Sequence, residues 1–87
     1  MSKTATFIKH IQGWRGDARL YRLSPPHEAS PHVIVSATEV PYLGPETYIF
    51  PATDEGSIVS WSEMEGSYRG GLDHAQALRN AGYEILP

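Results

Sequence analysis

The sequence predicts an α+β fold: a bent, mostly antiparallel sheet of about five strands, open or curled into a partly open barrel, with one short C-terminal helix. Three observations lead there. Runs rich in β-branched and aromatic residues recur at 4–14, 18–23, 32–40, 47–50 and 57–61, each followed within five residues by a glycine or proline. Only 73–83 carries helix chemistry at both ends. The chain has 87 residues, 40% of them apolar and 20% charged, which suits one compact domain spanning 1–87.

In the first run Thr6, Ile8 and His10 alternate with Phe7, Lys9 and Ile11, the period of a strand. Gly13, Gly16 and Asp17 bracket Trp14 and Arg15 in a turn, and Ala18 to Leu23 returns antiparallel. Pro25, Pro26 and Pro31 make 24–31 a surface loop, because each fixes its own backbone and extends the residue before it. Val33, Val35 and Ala37 then alternate with Ile34, Ser36 and Thr38. After the break at Pro41 to Pro45, Thr47 to Phe50 and Ser57 to Trp61 read as a hairpin about the turn at Asp54 to Gly56.

Asp73 can cap a helix, and Gln76 three residues later can reach back to the Asp73 amide. His74 to Ala81 contains no proline, glycine or β-branched residue, and Gly82 supplies the left-handed stop with Tyr83 closing over Leu78. Such a helix is roughly 12 Å long and marginal alone. It has to dock Leu72, Leu78 and Ala81 on the sheet. Tyr83 to Leu86 can add a short final strand.

Seven Lys and Arg stand against ten Asp and Glu, for a net charge of -3. That balance excludes the basic footprint of a nucleic-acid binder. The absence of cysteine removes disulfides, thiolate metal sites and cysteine nucleophiles. Met1 to Lys9 lacks a signal-peptide core, and no stretch approaches a membrane span, so the expected setting is cytoplasmic. His27 and His32 read as a solvated loop pair rather than metal ligands, and no serine carries a nucleophile motif. Neither a metal, a cofactor nor a catalytic residue is expected.

Binding is better motivated. Two tryptophans and five tyrosines are more amphipathic rings than so small a core covers, and Trp, Tyr and Arg are common interface anchors. Trp14 with Arg15 and Tyr68 with Arg69 are the candidate partner-binding residues. Their sequence context favours a non-enzymatic protein-interaction module. The alternative is a small anion- or ligand-binding protein using Arg69, Gly70 and Gly71 ahead of the helix. That loop lacks Gly-Lys-Ser/Thr, and Asp73 competes with an anion there.

The segments Ile11 to Leu23, Tyr48 to Gly56 and Gly66 to Leu78 resemble small proteins of actinobacteria and their bacteriophages, a group without an established activity. The resemblance implies a bacterial or host-cell cytoplasm. It brings no catalytic residue. By context it implies an accessory role, binding a host protein.

Overall fold

The structure, a computed structural model, describes residues 3–13, 16–25, 31–61 and 63–86. They form one curled half-barrel sheet and one helix: β1 (Thr4–Ile11), β2 (Asp17–Ser24), β3 (His32–Val40), β4 (Gly44–Ala52), β5 (Tyr68–Arg69), α1 (His74–Asn80) and β6 (Glu84–Leu86). Spatial order is β5-β4-β3-β2-β1-β6. The α+β class holds, but the sheet has six strands rather than five and is mixed rather than antiparallel. The reason is the route of the chain. It leaves the β5 edge through α1, crosses β3 and β4, and lands on the opposite edge with β6 parallel to β1.

Both faces of the sheet are occupied. Val33, Val35, Ile49, Tyr21, Leu23 and Ala5 pack under α1 with Ala77, Leu78 and Tyr83, while Ala18, Leu20, Ile34 and Ala52 form a second core with Ile11 and Ile58. This explains why β3 reads as a nearly unbroken apolar run: each parity faces a different core. Strand β1 solves the same problem with a bulge. Phe7 pairs with Tyr21 and Lys9 with Leu20, leaving Ile8 as the extra residue. The insertion reverses the alternation, so Ala5 enters one core and Ile11 the other although both are odd-numbered.

Residues 57–61 do not form the expected strand. Their ladder contact is the isolated bridge of Ala52 with Ile58; beside it the Val59 amide bonds the Pro51 carbonyl, and the Ser57 carbonyl accepts from the Thr53 amide. Ile58 turns into the second core and the chain then leaves the ladder. The rest of the β4 edge is covered by Met64, Ser67 and Gly70, which bond the Ile49 carbonyl, the Ile49 amide and the Pro45 carbonyl. An edge dressed this way offers few free backbone groups to another strand.

The helix ends follow their local chemistry with one substitution. Asp73 Oδ1 accepts from the Gln76 amide, but the Gln76 side chain bonds Asn80 Oδ1 instead of reaching back. The Asp73 amide is taken by Thr47 Oγ1 of β4, so a tertiary partner completes the cap. At the other end the Tyr83 amide bonds the Leu78 carbonyl and the Gly82 amide bonds the Arg79 carbonyl, with Gly82 at φ 92°. That is a Schellman closure, and Tyr83 packs with Leu78 beneath it. Leu72, expected to dock, is instead 53% exposed, because it precedes the cap and stays outside the first helical turn.

A cavity of about 50 Å³ remains between α1 and the sheet, lined in part by Leu23, Val33, Ile49, Met64 and Leu78. Val33→Ile adds one methyl group toward it at a β-strand position. The variant is expected to gain about 0.5–1 kcal/mol in denaturant unfolding. An unchanged or lower midpoint would mean that the cavity cannot accept the group.

Candidate functional site

The β1–β2 connection, the β3–β4 turn and the loop from β5 to α1 all emerge at one end of the sheet. The pairing fixes this. Asp17, the first residue of β2, is opposite Ala37, so the chain from β1 enters β2 where β3 is about to turn. Gly16 lies against the Ala37 carbonyl and the Thr38 side chain, at φ 78°, and an added Cβ would collide with both. Val40 pairs with Gly44 across the turn of 41–43. The Gly70 amide bonds the Pro45 carbonyl, and Thr47 Oγ1 donates to the Gly71 carbonyl at 2.8 Å.

Of the sequence-predicted residues, Tyr68, Arg69, Gly70 and Gly71 are at this end of the sheet. Trp14 and Arg15 lie outside the described residues, as does His27; the strand ends that flank Trp14 and Arg15 are at this end. Tyr68 is half-buried against the α1 core, and its hydroxyl end lies over Gly71, where a Cβ would come within 2.9 Å. Arg69 projects from β5 with 73% of its side chain exposed. Gly70 and Gly71 are both used: the Gly70 amide is bonded internally, the Gly71 carbonyl accepts from Thr47, and Asp73 spends its own amide on the same threonine. The loop therefore closes on β4 with its polar groups turned inward.

Three residues that the sequence did not single out complete the surface. Tyr42 is fully exposed, at 106% of its reference area, and stands at φ 67°, the one positive value among the described non-glycine residues. A left-handed backbone costs a side-chain-bearing residue roughly 1–2 kcal/mol. Leu43 beside it is exposed as well. Glu46 is the third: its side chain is 2% exposed, and Arg69 Nε approaches its Oε2 at 3.7 Å. Among the described residues Glu46 Oε2 and Thr38 Oγ1 are buried without a hydrogen-bond partner. Thr38 and Glu46 are direct cross-strand partners, as are Glu46 and Arg69, so the three side chains form a row on one face.

A second polar cluster ties α1 to the start of β2. His74, 7% exposed, donates from Nε2 to the Asp17 carbonyl at 2.7 Å, which fixes the protonated ring nitrogen. The Asp17 carboxylate accepts both Arg19 Nε and Nη2, at 3.2 and 2.8 Å, and lies 3.5 Å from His10 Nδ1. The Arg19 hydrogen bond holds the Asp17 carboxyl below the usual carboxylate range. Burial, aided by the Arg19 charge and opposed by Asp17 and Asp73, holds His74 below the ordinary histidine range. A neutral, hydrogen-bonded histidine of this kind is a clamp. The adjacent Asp73 caps the helix and is not its partner.

Among the described residues no group of three His, Cys, Asp or Glu is placed to hold a metal ion, and no helix is long and apolar enough to cross a membrane. No protein-family model matches the chain, and no curated protein or solved structure is significantly similar to it.

Proposed function

We propose that the protein is a non-enzymatic protein-interaction module whose binding surface is the loop end of the sheet: Tyr42 and Leu43 at its centre, Arg69 and Leu72 on the β5 side, and Trp14 and Arg15 in the β1–β2 connection. The observation that carries this reading is Tyr42. A large ring, held fully exposed in a strained backbone beside an exposed leucine, contributes no packing to either core. Strain kept in the absence of a structural return is a mark of functional positions. Loops on a rigid sheet are the usual carriers of recognition, and Tyr and Arg are its usual anchors. The resemblance to actinobacterial and phage proteins favours a host-cell protein as partner.

The double variant Tyr42→Asn with Leu43→Ser tests the surface without touching a core. Asparagine tolerates the left-handed backbone, so the thermal midpoint should stay level or rise. Capture of a dominant partner from host lysate should fall by about tenfold or more, the size expected for losing a central aromatic anchor. Equal capture by the variant and the parent would remove this surface from consideration.

A further inference from the structure

We infer that Glu46 is the receptor for a basic side chain, arginine or lysine, presented by the partner that the loop end binds; this rests on the interaction reading above. The starting point is an imbalance. Glu46 sits in the middle of the Thr38–Glu46–Arg69 row, buried, with Oε2 lacking any hydrogen bond and with the Thr38 hydroxyl beside it equally unmatched. Two adjacent orphaned polar atoms are unusual, since buried acceptors are nearly always satisfied. A desolvated carboxylate is costlier still, unless a paired charge and hydrogen bonds offset its lost hydration.

Arg69 does not provide that compensation. At 3.7 Å its Nε is beyond hydrogen-bond range, and with 73% of the side chain in solvent its charge is heavily screened. One carboxylate and one hydroxyl are too few oxygens for a hard cation such as calcium, which takes six to eight. An anion would meet Glu46 itself. A guanidinium or ammonium group fits: it brings several donors, can serve Oε2 and the Thr38 hydroxyl together, and carries an apolar stem. That stem would run toward Tyr42 and Leu43, in the turn beyond the Glu39–Pro45 and Val40–Gly44 pairs of the same hairpin. Arg69, the exposed side chain that approaches Oε2, would swing aside on entry.

The probe is Nα-acetyl-arginine amide, titrated into the full ¹⁵N-labelled chain, with the citrulline counterpart as the neutral isostere. Saturable shifts are expected at Thr38, Glu46, Thr47 and Arg69 with the arginine compound and none with citrulline. Glu46→Gln should weaken this binding about tenfold, the loss expected for one charge-assisted hydrogen bond. Arg69→Ala, a change at an exposed side chain, should strengthen it several-fold by removing the resident competitor. Shifts absent with both compounds, or unchanged in Glu46→Gln, or weakened in Arg69→Ala, would overturn the inference and leave ordered water as the occupant of the row. The two readings fail separately. Loss of capture in the Tyr42 and Leu43 variant with a silent arginine titration removes only the basic-residue receptor, whereas a positive titration with undiminished capture removes only the loop-end surface.

Discussion

Leu78→Ala should lower the unfolding free energy by about 3–4 kcal/mol and the thermal midpoint by roughly 12–25 °C. Leu78 is among the largest fully buried side chains, and it is the principal apolar contact through which a seven-residue helix meets the sheet. Its removal leaves a void that cannot be repaired by collapse, because the site already borders a cavity of about 50 Å³ and the Schellman closure fixes Tyr83 above it. A chain of this size has roughly 4–13 kcal/mol in total, so the loss is a large part of it. Leu72→Ala is the matched control. Being mostly exposed, Leu72 should cost less than about 0.5 kcal/mol. Equal losses for the two leucines in guanidinium unfolding would contradict the docking described for α1.

His74→Ala should cost about 2–3 kcal/mol and should also flatten the dependence of stability on pH. The parent protein is expected to weaken on acidification in two stages. His74 is depressed in the folded state, so its contribution is complete above the unfolded value of about 6.5 and is lost as pH falls through the folded pKa. Protonation there places a charge in a buried site next to Arg19. Asp17 is depressed as well, from 3.8; its contribution is complete above that value and disappears only as pH falls through its lower folded pKa. Denaturant midpoints measured between pH 7.5 and pH 4.5 therefore isolate the histidine stage, in the range set by the ordinary histidine value. His74→Ala retaining the full slope over that interval would assign the acid sensitivity elsewhere.

The parts of this fold that were legible in sequence are those decided within a few residues. Asp73, Gly82 and Tyr83 set the limits of α1 by capping chemistry, and the alternation in 32–40 set β3. What could not be read depends on closure at long range. Tyr68 and Arg69 become β5 because the Gly70 amide reaches Pro45, twenty-five residues earlier in the chain, and two residues carry no periodicity. Glu46 follows Pro45 at a chain break and reads as a loop residue; its burial arises from neighbours on β3 and β5. His74 stands next to Asp73 in sequence, yet its acceptor is the backbone of Asp17, 57 positions away. The one available hint was a carboxylate entering a β-branched run, Glu46-Thr47-Tyr48-Ile49, which is uncommon in strands. Of the candidate surface the Tyr68–Arg69 pair stood out in sequence, whereas the exposure of Tyr42 depends on the left-handed turn between β3 and β4, which no local pattern announces.

The parallel pairing of β6 with β1 has a consequence for how the molecule is made. Thr4, Ala5 and Thr6 find their outer neighbours in Glu84, Ile85 and Leu86, and the Glu84 amide bonds the Lys3 carbonyl. Within this sheet the strand made first thus waits for the one made last, with about eighty residues of chain to be closed into a loop before that ladder can form. Until then the flank of β1 is an unsealed seam, and the nascent sheet is most vulnerable to wrong strand partners along that strand.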